Sequence, residues 1–139
     1  MKANAILETC LYAENLEEIA TFYSEVLGLE AFAKREGRHV FFRCGEGVLL
    51  IFNPDTTSQE AIDMDGQPIP LHGTRGEGHV CFKIKESEIP QWRNWLNAKG
   101  IEIESEVTWP GGSHSLYFRD PAGNCLEVAS PLVWGLEED

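Results

Sequence analysis

Hydrophobic and polar positions alternate along this chain in two stretches that read almost alike. Residues 6–13 carry the period of two that marks a β-strand. Asn15 and Glu18 then stand as an N-cap and a capping-box acid. Leu16, Ile19, Ala20, Tyr23, Val26 and Leu27 follow helical spacing, and Gly28 supplies the stop. Strand-like runs at 29–35, 38–44 and 47–53 come next, separated by Gly37 and the Gly45-Glu46-Gly47 turn. Residues 54–78 are rich in Asp, Thr, Gly and Pro and keep no period, which predicts a linker long enough to cover a site.

The order then repeats. A strand is predicted over 78–85 and a helix from a Ser87 cap through Lys99, with Pro90 tolerated in its first turn. Ile89, Trp92, Trp95 and Leu96 form its apolar face, which places both tryptophans in the core or an interface. Gly100 ends the helix, and strands follow at 101–107, 113–119 and 124–130, the last two joined by the turn sequence Asp120-Pro121-Ala122-Gly123. The letters repeat as well. Val40-Phe41-Phe42-Arg43 aligns with Leu116-Tyr117-Phe118-Arg119, and Asn53-Pro54 with Ser130-Pro131. The reading is an α+β protein of two tandem βαβββ modules, module one at 5–54, a linker at 55–77 and module two at 78–132.

Alternation also sorts the strand residues by face. Leu7, Thr9 and Leu11 oppose Glu8, Cys10 and Tyr12. Val80, Phe82 and Ile84 oppose His79, Cys81 and Lys83. Leu116 and Phe118 oppose Ser115, Tyr117 and Arg119, and Leu126 and Val128 oppose Cys125, Glu127 and Ala129. Helices cover the apolar faces, so the second faces line a concavity. Three potential metal ligands stand there: Glu8, His79 and Glu127. One imidazole and two carboxylates suit a divalent ion with open coordination positions, whereas solvent-facing acids and an ordinary strand histidine are the plainer alternative.

Composition narrows the function classes. The chain has 139 residues, 42% of them hydrophobic, enough for one compact domain or two small halves. A net charge of −12 repels phosphate backbones and anionic lipids, which argues against nucleic-acid and membrane partners. There is no apolar run of membrane-spanning length and no signal-peptide pattern, so a cytoplasmic protein is expected. Cys10, Cys44, Cys81 and Cys125 make no CxxC pair, and structural disulfides are not expected.

SLYFRDPAGNCLEVASP, GHVCFKI and ENLEEIATFYSEVLGLE together resemble the glyoxalase, bleomycin-resistance and extradiol-dioxygenase superfamily, over nearly the whole chain apart from the linker. The resemblance implies the vicinal-oxygen-chelate fold, a cup-shaped mixed sheet built from the two modules. It also implies metal ligands on the first strand of each module and on the last strand of the second, which correspond to Glu8, His79 and Glu127. The bound cofactor is then one divalent ion (Fe, Mn, Zn or Ni) acting as a Lewis acid on a small oxygen-chelating substrate, in a homodimer. Two departures stand out: Glu8 replaces the family's frequent His or Gln, and Leu50 stands where glyoxalase I adds a carboxylate. The alternative within the family is a metal-free protein that sequesters small molecules.

Other residues follow from position. Tyr117 and Arg119 are placed to orient and neutralise an oxyanion, unless an acid pairs Arg119. His39 is a candidate general base and Arg43 shares its face. Trp109, in a Trp-Pro-Gly-Gly loop, is a candidate for stacking on a ligand, and Cys10 and Cys81 are candidate substrate contacts. His72 is a candidate lid residue, and His114 ranks below His39.

Overall fold

A computed structural model describes all residues, Met1–Asp139, as two compact units, Met1–Gly76 and Glu77–Asp139. In the first unit the order is β1 (Glu8–Tyr12), α1 (Leu16–Glu25), β2 (Glu30–Arg35), β3 (His39–Cys44), β4 (Gly47–Phe52) and a short α2 (Pro54–Thr57). The second has β5 (His79–Lys83), a 3₁₀ turn at Glu86–Glu88, α3 (Ile89–Ala98), β6 (Ser105–Thr108), β7 (His114–Arg119), β8 (Cys125–Ala129) and a 3₁₀ turn at Pro131–Trp134. Each unit holds a four-stranded mixed sheet, ordered β1-β4-β3-β2 in one and β5-β8-β7-β6 in the other. The first and last strands of each unit pair in parallel and the remaining neighbours pair antiparallel. This is the α+β tandem βαβββ architecture.

The register makes the repeat exact at residue level. Cys10 faces Leu50 in the β1–β4 pair, and Cys81 faces Glu127 in the β5–β8 pair. Leu50 in turn faces Phe41, and Glu127 faces Tyr117. Counting along the strands makes Glu8 the counterpart of His79, and Leu50 that of Glu127.

Each sheet buries the face that its helix covers. In unit one Ile19, Ala20, Phe22 and Tyr23 of α1 bury with Leu11, Val40, Phe42, Leu49 and Ile51, and α1 packs on β2 and β3. In unit two Ile89 and Leu96 of α3 bury with Leu116, Phe118, Leu126 and Val128, and α3 packs on β7. Both helices end in the manner predicted. Gly28 and Gly100 adopt positive φ (66° and 71°), and the next amide returns to the last turn, Leu29 N–H to Tyr23 O and Ile101 N–H to Leu96 O.

Several local expectations give way. Asn15 makes no capping hydrogen bond to the helix N–H groups; its Nδ2 donates instead to Glu18 Oε2 (3.3 Å). Ser87 does not cap α3, because a 3₁₀ turn intervenes and Glu88 accepts from the Lys85 N–H (2.8 Å). Trp95 is 43% exposed with the Lys99 ammonium over its ring, and Trp92 is half-buried, so Leu96 and Ile89 carry the packing. Residues 101–104 run outside any strand, and β6 begins only at Ser105. The region after β4 is partly ordered: Asn53 caps α2 by accepting from the Asp55 N–H, and an isolated bridge joins Asp63 and Pro68.

Candidate functional site

The strongest convergence of polar groups lies on the uncovered face of the unit-two sheet. Glu127 enters from β8 and is only 7% exposed, because β8 is flanked by β5 and β7. A carboxylate this buried requires partners. His79 Nε2 lies 3.3 Å from Glu127 Oε2, and Cys81 and Tyr117 also interact with the carboxylate. The His79 ring stacks beside Tyr117 at a centroid distance of 6.2 Å and an interplanar angle of 23°.

The His79 tautomer follows from its neighbour. Nδ1 lies 2.9 Å from the carbonyl oxygen of Cys125, which can only accept. Nδ1 therefore carries the proton and donates. Nε2, aimed at Glu127, then either presents a lone pair to an acceptor or carries a second proton. The geometry asks for a cation between the two groups, a proton on the ring or a metal ion on the lone pairs. Backbone-carbonyl anchoring of the far nitrogen is how a metal-bound imidazole is commonly oriented. The donor set of this pair thus fits a divalent ion. Within neither unit do three His, Cys, Asp or Glu side chains form a ligating cluster, and Glu8, exposed on β1, belongs to the other unit.

The surroundings of Glu127 hold their protons. Burial first, and then the Glu127 charge, pushes the Cys81 thiol up to about 12, so it stays a thiol near neutral pH. Burial and the same charge push the Tyr117 phenol up to about 12, against an opposing hydrogen bond with Ser115. Behind them the Trp109 indole N–H donates to Ser115 Oγ (2.8 Å). Trp109 thus braces Ser115, two residues before Tyr117 on β7. Ser115 is fully buried and absent from the candidates read in the sequence; its place on the same face as Tyr117 was the available signal.

Arg119 is paired with acids, the alternative that its sequence reading left open. Its Nε and Nη2 hold the Glu104 carboxylate (2.6 and 3.0 Å), and Nη1 reaches Glu77 (3.2 Å) and the Gly123 carbonyl (3.1 Å). The guanidinium that was to neutralise a substrate anion is already committed to acids. Arg43 is exposed and lies over the Phe32 ring at 4.7 Å. Cys10 is a free thiol on an exposed residue, and the partial covering of its sulfur, followed by the Glu8 charge, raises its pKa.

The uncovered face of the unit-one sheet is aromatic where its counterpart is acidic. His39 stacks on Phe41 (4.0 Å, 11°), Phe41 meets Phe52 edge-on, and Phe52 meets His72 edge-on. Tyr12 Oη hydrogen-bonds His72 Nδ1 (2.8 Å), which docks the linker histidine on β1. Burial, with the positive charges of Arg38 and Arg35, holds His39 below the usual imidazole range. His114 lies apart from both faces' candidates, paired through Nδ1 with Glu86 (2.6 Å).

Comparison with known proteins gives a consistent picture. Residues 5–128 match the family described as "Glyoxalase/Bleomycin resistance protein/Dioxygenase superfamily". A crystal structure of lactoylglutathione lyase from Agrobacterium tumefaciens superposes with a TM-score of 0.90 at 43% identity, covering 98% of this chain and all of that one. Virulence protein STM3117 of Salmonella typhimurium is 28% identical over 86% of this chain and 78% of its own length. Metallothiol transferase FosB of Staphylococcus saprophyticus is 37% identical over 51 residues, a segment that spans 36% of this chain and only 34% of that protein.

Proposed function

We propose, from the premise that the chain belongs to the glyoxalase/bleomycin resistance protein/dioxygenase superfamily, that it is a divalent-metal-dependent enzyme acting on a small substrate through neighbouring oxygens. The observation that carries this reading is the His79–Glu127 pair, with the far nitrogen of His79 held by the Cys125 carbonyl. Glu8, at the register position in unit one that His79 takes in unit two, is the third ligand that the family resemblance implies. Relatives named as a lyase and a metallothiol transferase support the class of chemistry.

The ion, when bound by Glu8, His79 and Glu127, supplies Lewis acidity to an oxygen of the substrate. The protein's own groups do the rest. Tyr117 keeps its proton over the working pH range and presents a neutral hydroxyl donor beside Glu127. Ser115, fixed by Trp109, limits the directions that hydroxyl can take. Cys81 likewise remains a neutral thiol, so it adds no negative charge beside the ligands. His39, stacked on Phe41 and held below the usual imidazole range, is the candidate base that unit one offers.

Elemental analysis of protein purified without chelator tests the reading. About one equivalent of divalent metal is expected, falling below about one tenth in Glu127→Ala, with retained far-UV circular dichroism. A metal-free protein whose thermal midpoint ignores Mn, Fe, Ni and Zn would overturn it.

A further inference from the structure

Past β8 the chain makes the 3₁₀ turn at Pro131–Trp134, passes Gly135 at positive φ (67°) and runs back to the far end of β5. Residues 137–139 lie outside any helix or strand and make no backbone–backbone hydrogen bond. Two side chains hold them. Glu138 Oε1 accepts from the Ser130 hydroxyl and from the Glu86 N–H (2.6 Å each). Asp139 pairs with the Lys83 ammonium. The segment is docked through its carboxylates alone, as a small ligand would be.

The place that these carboxylates occupy suits an anion. Ser130 is only 2% exposed, and its oxygen also accepts from the Leu132 N–H (3.0 Å), so the hydroxyl proton is left to point at Glu138. Without an acceptor there, a buried hydroxyl and the Glu86 N–H would both go unmet. Lys83 and Lys85 add two positive charges. Glu88, the remaining acid, already accepts from the Lys85 N–H (2.8 Å). A cavity of about 250 Å³ lies among these residues, walled by Ile84 and Pro131 and bordered by Glu138 and Asp139. Space for a ligand is therefore present beside the docked segment. The Ser130 and Glu86 donors, and then the lysines, hold the Glu138 carboxyl below its usual range, and Lys83 does the same for Asp139.

We propose that this groove is a binding site for short linear dicarboxylates, in which Glu138 and Asp139 are internal occupants that an external molecule displaces. One carboxylate of the ligand takes the Ser130 hydroxyl and the Glu86 N–H, and the other takes the Lys83 ammonium. Linked carboxylates reach both anchors at once, whereas a monocarboxylate reaches one. Displacing the segment is a local event, because residues 137–139 have no backbone–backbone hydrogen bonds to break. The Lys83–Asp139 pair is solvent-exposed at both ends, so it is a weak competitor. The site draws on unit two alone and needs no metal, so it stands or falls separately from the proposed chemistry.

The test is a nitrogen-15 NMR titration of the full chain with sodium glutarate, following the Glu86 amide, with acetate and inorganic phosphate in parallel. In a variant carrying Glu138→Ala and Asp139→Ala together, the Glu86 N–H should move and saturate with glutarate. The wild type should need about tenfold more glutarate for the same movement, because its tethered carboxylates compete. Acetate and phosphate should bind the double variant about tenfold more weakly than glutarate does. Adding Lys83→Ala should bring glutarate down to the level of acetate. Glu127→Ala should leave the titration unchanged, which separates the groove from the candidate metal ligands. If the double variant loses its circular dichroism, Asp139→Ala alone decides, since that exposed residue contacts only Lys83, and it should bind glutarate more tightly than the wild type. An unmoved Glu86 N–H, equal affinity with and without the two acids, acetate or phosphate matching glutarate, no effect of Lys83→Ala, or loss of binding in Glu127→Ala would each overturn the assignment.

Discussion

His39 shows how much a single residue's surroundings decide. Stacked on Phe41 and facing the charges of Arg38 and Arg35, it is held below its ordinary pKa, so the folded state resists protonating it. The unfolded chain then binds more protons than the native one between the lowered value and about 6.5. Stability should therefore fall as pH drops through that window and be fully present above it. Urea denaturation at pH 7.5 and 5.5 should show a larger acid loss for the wild type than for His39→Phe, which keeps the stack and removes the titrating group. An equal loss in both would dissociate acid sensitivity from this residue.

At the scale of elements, the β7–β8 connection is held by the Asp120–Asn124 side-chain pair. Asp120 Oδ1 accepts from the Ala122 and Asn124 amides, and Asn124 Nδ2 donates to Asp120 Oδ2 (2.9 Å each). Asn124 Oδ1 also accepts from the Gly78 N–H (2.8 Å), fastening this turn to the entry of β5, where His79 follows. Asn124 is 1% exposed. Asn124→Ala should cost about 2–4 kcal/mol, because it leaves buried donors and acceptors unmet; equilibrium urea unfolding measures it. Since the same amide positions the first residue of β5, metal content should fall with it.

The turn itself was legible in the letters Asp120-Pro121-Ala122-Gly123, as were the strand faces, because period-two alternation is a local signal. The pairing of Arg119 was not. Glu104 is 15 residues upstream in a stretch that reads as a strand and runs as irregular chain, so its reach to β7 depends on tertiary path. The burial of Arg38 was equally hidden, since a charged residue opening the 38–44 strand run beside Gly37 carries no signal of burial. Asn15 makes no cap hydrogen bond while its backbone (φ −88°, ψ 63°) lies outside the usual extended N-cap geometry, which a residue pattern does not show.

At the scale of the whole molecule, both units follow one plan, and each closes its own core under its own helix. The acidic surface, with 23 acids against 11 Lys and Arg, is shared along the chain rather than gathered in one place. No helix is long and apolar enough to cross a membrane. The repeat gives the candidate site its ligand positions, yet only one unit carries an acid in the last strand. Leu50 and Glu127 occupy matching slots with the same 7% exposure, one against Phe41 and the other against Tyr117.

That pairing decides what an acid would meet in the Leu50 slot. An acid entering the Leu50 slot ahead of any hydroxyl would be buried against a phenyl ring, a step that selection for stability would oppose. A tyrosine entering first is nearly silent, and it makes the later acid tolerable. The two changes should accordingly be epistatic. In a double-mutant cycle, Leu50→Glu should destabilise less in a Phe41→Tyr background, with a coupling of about 0.5–3 kcal/mol. Chemical denaturation of the four variants measures how far a hydroxyl beside the slot decides whether it can hold a charge.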